Sequence, residues 1–238
     1  MKAPIFAGTT DTGRQRDHNE DAFVIAADLG VAMVADGMGG HAAGEVASGM
    51  AIDTTLAILR QTAGLAARDR LETSLQAANA GIREKAASSP RYKDMGTTVV
   101  AALLDRQGLT VAHCGDSRLY RLRRGELLAL TRDHSLLQEF IDKGLYSPEE
   151  ARQKVARNIL THALGLEDQA RVDVAEHVVQ AGDRYLLCSD GLYEMVSDSE
   201  IAALLGRPLP LGDICAALVE LANAKGGKDN ITVVAIET

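Results

Sequence analysis

Apolar residues run through the chain in short stretches, several alternating with polar ones, and most stretches stop at glycine, aspartate or a small polar residue. Runs of this length predict strands near 23–27, 31–35, 96–104, 109–115, 118–123, 127–131, 184–189 and 230–236. Two Ala/Leu-rich segments, about 42–61 and 70–88, instead repeat their apolar positions every three or four residues, as Leu71, Leu75, Ala78 and Ile82 do, and read as consecutive helices. A helical block is expected over about 134–164, with Ser147 as cap and Pro148, Glu149 and Glu150 in a first turn. Further helices are expected near 198–205 and 211–224, the first opened by a capping box of Ser197 and Glu200.

Strands therefore come in hairpin-spaced groups and helices in pairs, not in strict alternation. That order favours antiparallel sheets covered by helices, an α+β layered fold, over a doubly wound parallel sheet. The chain has 238 residues, without a long linker, low-complexity tract or repeat, and reads as one domain over 1–238.

Composition adds limits. Hydrophobic residues make up 46% and aromatic residues only 3%, so the core must be built from Ala, Val, Leu and Ile. A formal net charge of −8 argues against a general nucleic-acid binder. No apolar run reaches the roughly 18 residues of a membrane span, and the N-terminal stretch does not read as a signal peptide. Cys114, Cys188 and Cys215 form no CxxC pair, which suits a reduced, cytoplasmic protein.

The candidate chemistry lies at strand ends. VAMVAD stops at Asp36, LTVAHCGD at Asp116 and YLLCSD at Asp190, while Asp229 stands just before NITVVAIE. An Asp-Gly after a strand is usually only a hairpin turn, and Asp105, between two predicted strands, reads as no more than that. Four such aspartates beside glycine or small polar residues suggest a gathering of anions. Gathered carboxylates would raise one another's pKa values unless a cation neutralised them. Oxygen-only ligation selects Mg²⁺ or Mn²⁺ over Zn²⁺, and two such ions about 3.5–4 Å apart can drive an in-line phosphoryl displacement. Arg16, five residues before Asp21, offers a guanidinium fork for phosphate oxygens.

Seven ordered motifs carry a resemblance: RDHNED (16–21), ADGMGGHAAGE (35–45), GTT (96–98), CGDSRLYR (114–121), TRDHS (131–135), CSDGLYE (188–194) and KDNITVV (228–234). Together they resemble the metal-dependent serine/threonine protein phosphatases of type 2C, particularly the single-domain bacterial ones. The resemblance implies a four-layer αββα sandwich, two central antiparallel sheets each flanked by a pair of helices. It implies Mn²⁺ or Mg²⁺ as cofactor, two ions at the core and a third, weaker one. Asp36 would bridge the two ions, the Gly37 carbonyl would join the second, and Asp190 and Asp229 would complete the first. Glu20 and Asp21 would hold waters around the metals, and Asp116 would form the third site with Asp190. A metal-bridging hydroxide would attack phosphorus in line while Arg16 binds the phosphoryl oxygens. The leaving alkoxide would take its proton from a metal-bound water or from His41, whose competing role is to anchor the following helix. Phosphorylated proteins are the implied substrates, and a serine/threonine kinase sharing those substrates is the implied counterpart.

The chain departs from the family pattern at two places. Glu194 stands where many members carry a second aspartate after the SDG motif. The flap, about 134–165, reads KVARNILTHALG at 154–165, where bacterial relatives often have His-Pro before Arg-Asn. Rival chemistries fit poorly. A cysteine phosphatase needs Arg six residues after its Cys, and those positions hold Tyr120, Glu194 and Leu221. Ser117 and Ser189 lack a GxSxG elbow, and the glycines after Asp36 lack a P-loop ending. A phosphatase-like binding module should have lost its metal ligands, whereas Asp36, Asp190, Asp229 and Arg16 are all present. The same chemistry on a small phosphorylated molecule, or on a phosphorylated sigma-factor regulator, stays open.

Overall fold

The structure, a computed structural model, describes residues 3–39, 43–156 and 159–238. In chain order its strands are β1 (Ile5–Asp11), β2 (Asp21–Ala26), β3 (Val31–Met38), β4 (Gly96–Thr97), β5 (Val99–Leu104), β6 (Leu109–Cys114), β7 (Arg118–Arg123), β8 (Glu126–Ala129), β9 (Asp173–His177), β10 (Arg184–Cys188) and β11 (Ile231–Glu237). The helices are α1 (Ala43–Gln61), α2 (Ala67–Ser88), α3 (Leu136–Asp142), α4 (Pro148–Lys154), α5 (Asp190–Tyr193), α6 (Asp198–Leu205) and α7 (Leu211–Ala224). One sheet has the order β1-β11-β10-β7-β8 and the other β2-β3-β5-β6-β9, with β4 paired to the end of β3. All of these pairings are antiparallel.

Strand alternation explains the layering. Along β3, Val31, Met33 and Ala35 pack with Ala47, Ala51, Leu71 and Leu75 of α1 and α2. Ala32 and Val34 point the other way and meet Leu187, Val234 and Ile236 of the opposite sheet. That second sheet turns Leu186, Val233 and Ala235 outward onto Ile201, Leu205, Ile214 and Leu218 of α6 and α7. Three apolar layers thus separate four layers of structure, the αββα sandwich the motifs imply. A strand buried on both faces has no polar side, which is why β3 and β5 read as continuous apolar runs.

Differences from the sequence expectations have local causes. β1 was not expected, because IFAGTTD lacks a clean alternation; it pairs with β11 from Ile5↔Glu237 to Asp11↔Ile231. β9, a short strand at a sheet edge, was not expected either. The run 96–104 is interrupted at Thr98, leaving β4 and β5. The helical block over 134–164 proves to be two short helices, α3 and α4, parted at Gly144, whose φ of +66° suits glycine. Ser147 accepts a bond from the Glu150 N–H at 3.3 Å, and Glu150 accepts one from the Ser147 N–H at 3.0 Å, closing the expected cap of α4.

Candidate active site

The strand ends named above meet at one edge of the sandwich. β2 delivers Asp21 as its first residue, opposite Asp36 on β3. Asp116 sits in the turn from β6 to β7, Asp190 opens α5 directly after β10, and Asp229 precedes β11. Repulsion from neighbouring carboxylates raises Asp21, Asp36 and Asp190. Burial, then repulsion from Asp21, Asp190, Asp116 and Asp229, pushes the Asp36 carboxyl well above the usual carboxylate range. Asp190 is pushed up in the same way, by burial and then by Asp116, Asp229 and Glu194. Burial lifts Asp21 to about 6 and Asp116 to about 7. Glu20 is also raised, chiefly by burial.

Backbone anchors fix this edge. The Asp36 carbonyl accepts from the Thr98 N–H at 2.9 Å and the Thr97 hydroxyl at 2.9 Å, while its N–H donates to Thr98 Oγ1 at 3.2 Å. The GTT motif therefore clamps the Asp36 main chain. Gly37 donates to the Glu20 carbonyl at 3.2 Å. A Cβ on Gly37 would overlap the carbonyl oxygens of Gly44 and Glu20, so only glycine fits there.

Arg16 reaches the cluster through Asp229, its Nη2 donating to Oδ2 at 2.6 Å. That bond, followed by the charges of Asp229, Glu20 and Asp36, raises the guanidinium pKa. Half of the Arg16 side chain stays exposed, leaving donors on the solvent side. Asn230 holds the loop that carries Arg16. Its Nδ2 donates to the carbonyls of Thr12 and His18, both at 2.9 Å, and its Oδ1 accepts from the Glu20 N–H at 2.8 Å. The KDN motif contained this residue, yet nothing in its spacing gave it a role. Ser189 was expected to bond or pack, and its hydroxyl donates to Asp21 Oδ2 at 2.7 Å.

Of the expected site residues, Arg16, Glu20, Asp21, Asp36, Gly37, Asp116, Asp190 and Asp229 lie along this edge, whereas His41 falls outside the described residues. Among the described residues, Asp21 Oδ1 and Asp190 Oδ1 are buried without a hydrogen-bond partner. Buried carboxylate oxygens left unpartnered are costly. An oxygen-only, mutually repelling, partly unpartnered donor set fits hard divalent cations. Beside it, a cavity of about 500 Å³ is lined by Asp116, Arg118, Arg152, Tyr193 and Glu194 among others.

A different grouping was invisible in the sequence. His113, His134 and Asp173 bring donor atoms within 4.8 Å of one another, a spacing that no trio of the aspartates reaches among the described residues. Hydrogen bonds already use this group. His113 Nε2 bonds to the Arg132 carbonyl at 2.8 Å, and His134 bonds to Gly115 through Nδ1 and to Asp173 through Nε2.

Comparison with known proteins gives the same answer at the level of the whole chain. The family model for protein phosphatase 2C matches residues 10–231. The serine/threonine phosphatase stp of Listeria welshimeri is 40% identical over 235 residues, covering 96% of this chain and 93% of that protein. The crystal structure of the Mycobacterium tuberculosis serine/threonine phosphatase PstP/Ppp superposes with a TM-score of 0.90 at 39% identity, covering 98% of each chain. A structure of the PstP catalytic domain in complex with two manganese ions superposes with a TM-score of 0.87 at 38% identity, over 98% of this chain and 97% of that one. With the two sheets, the acidic edge and Arg16 in place, these matches establish that the chain belongs to the protein phosphatase 2C family.

Proposed function

We propose that this chain is a Mn²⁺- or Mg²⁺-dependent phosphatase that hydrolyses phosphoserine and phosphothreonine in proteins. The observation that carries the reading is the convergence of half-buried Asp36 and Asp190 with Asp229, itself bonded to Arg16. Asp36 would be shared between two cations, with the Gly37 carbonyl on one and Asp190 and Asp229 on the other. Asp116 with Asp190 would hold a third, weaker ion, and Glu20 and Asp21 would orient waters. Bound there, the cations would supply a strongly nucleophilic water at neutral pH and offset charge on the phosphoryl oxygens.

The chain's own groups do the rest. Arg16, steadied by Asp229, presents its remaining N–H donors to the phosphoryl oxygens, a fork that lysine cannot reproduce. Asn230 and the Glu20 backbone hold the Arg16 loop against the acidic edge, so the guanidinium is positioned before substrate arrives. His41 is the candidate donor of the proton that the leaving serine or threonine oxygen requires. Loss of the alkaline limb of the pH–rate profile in His41→Ala would support that role, and an unchanged profile would remove it.

The substrates are phosphorylated proteins, with a serine/threonine kinase as the counterpart that phosphorylates them. The flap, 134–165, would contact them, and 1–238 would act as one catalytic unit. We place the enzyme in the cytoplasm: Cys114, Cys188 and Cys215 are free and buried, and no described helix is long and apolar enough to cross a membrane. Phosphate release from a phosphothreonine peptide, with Mn²⁺, Mg²⁺ or EDTA, tests the reading. Metal-dependent turnover supports it; turnover that persists in EDTA, or turnover confined to small phosphate esters, contradicts it.

A further inference from the structure

The TRDHS motif (131–135) has no role in the chemistry above, yet every residue of it makes a specific contact. Thr131 Oγ1 accepts from the Leu119 N–H at 3.1 Å, and the Arg132 carbonyl bonds His113. Ser135 caps α3, accepting from the Gln138 N–H at 3.2 Å. The remaining two residues each lead back to the Gly115–Asp116 turn by a separate route.

Along the first, Asp133 takes both prongs of the Arg118 guanidinium, at 2.9 Å to Nε and 2.6 Å to Nη2. That guanidinium lies 3.6 Å from the centre of the Tyr193 ring. The Tyr193 hydroxyl in turn donates to the Asp116 carbonyl at 3.0 Å. Along the second, His134 closes a two-bond ring with Gly115. Its N–H donates to the Gly115 carbonyl at 3.0 Å, and its Nδ1 accepts from the Gly115 N–H at 3.3 Å. With Nδ1 accepting, the ring proton sits on Nε2, where Asp173 Oδ2 takes it at 3.2 Å. Gly115 has a φ of +101°, and a Cβ there would strike the Thr98 side chain, so the turn before Asp116 is tightly packed against the residue that clamps Asp36. The His134 carbonyl accepts from the Thr161 N–H at 2.9 Å, tying the same point to the returning segment of the flap.

We infer that TRDHS is a two-armed clamp that sets the position of Asp116 and links it to the flap, with Asp133 and His134 as positioning residues. Asp133 acts through Arg118 and Tyr193, and His134 acts through Gly115. The inference rests on the reading of Asp116 as ligand of the weaker ion. It predicts that loosening either arm weakens that ion selectively, because partners that orient a ligand typically contribute ~10–100-fold to metal affinity.

The test is a calorimetric Mn²⁺ titration of the whole chain and of Asp133→Asn, His134→Asn and Tyr193→Phe, with melting temperatures taken in EDTA. Tyr193→Phe is the most conservative of these: it keeps the ring under Arg118 and removes only the bond to the Asp116 carbonyl. The expected result is a weak class of Mn²⁺ sites lowered ~10-fold or more, with the tight class and the EDTA melting temperature of Tyr193→Phe unchanged. Asp133→Glu, which keeps a carboxylate, should recover much of the affinity lost in Asp133→Asn. An unchanged isotherm in Tyr193→Phe and His134→Asn, or equal weakening of every site alongside a fallen melting temperature, would overturn the clamp and leave a purely structural motif. A wild-type chain that binds no Mn²⁺ would overturn the phosphatase reading itself, and the clamp with it.

Discussion

Asp21 and Asp36 face each other directly across the β2–β3 pair, Asp21 buried and Asp36 half-buried, both raised above the ordinary carboxylate range. Like charges directly opposite on a sheet are destabilising, and here three further aspartates add to the repulsion. The arrangement makes sense as a stored demand for cations, and that demand has a measurable pH signature.

Acids whose folded pKa lies above the unfolded value bind extra protons in the native state, so stability falls as pH rises between the two values. With Asp21 at about 6 and Asp116 at about 7, the metal-free chain should lose melting temperature from about pH 4 to pH 7. Added Mn²⁺ should reverse the loss, with a larger stabilisation at pH 7.5 than at pH 5. Thermal melts in EDTA and in Mn²⁺ at both values check this; a Mn²⁺ effect independent of pH would contradict it.

Arg16 should behave as a fork rather than a charge. Arg16→Lys keeps the charge and Arg16→Ala removes it, yet both should lower kcat/KM by ~10-fold or more, because neither retains two parallel donors. Steady-state kinetics on a phosphothreonine peptide would show this, and full activity in Arg16→Lys would count against it.

Asn230 offers a test of the loop that carries Arg16. Asn230→Ala leaves the Thr12 and His18 carbonyls and the Glu20 N–H without their partner. Leaving such groups unmade should cost about 2 kcal/mol or more, with a matching fall in kcat/KM as Arg16 loses its support. Chemical denaturation and kinetics report the two effects separately.

A contrasting site lies at the other end of β10. Asp183 accepts from Arg123 at 2.7 and 2.6 Å, from the Tyr185 hydroxyl at 2.9 Å and from the Gln180 N–H at 2.8 Å. Asp183→Asn should lower the melting temperature while leaving phosphate release per folded molecule unchanged. Altered kinetics in this variant would show that the two ends of the sandwich are coupled.

How much of this was legible in the sequence depends on whether a residue announces its partner. β3 and β5 were legible because both faces are buried, and a strand buried on both faces leaves a continuous apolar run. Asp36, Asp116, Asp190 and Asp229 were legible as acids at strand ends. Asp105 reads as a hairpin residue and is one, its Oδ1 accepting from the N–H groups of Gln107 and Gly108 at 2.7 and 3.2 Å. β1 was not legible because its pairing partner is more than 200 residues away and Gly8 leaves room for the Phe23 ring where a side chain would stand. Asn230, Tyr193 and the TRDHS clamp were hidden because their partners are backbone groups or side chains far away in sequence, and spacing carries no trace of either.

The most direct test of the central claim is to count manganese bound per chain after dialysis, for the wild type and for Asp36→Asn. The account predicts at least two ions on the wild type, fewer on a folded Asp36→Asn chain, and phosphate release that falls with the count. A wild-type chain that retains no manganese, or an Asp36→Asn chain that retains as much and turns over phosphothreonine peptide as fast, would contradict it.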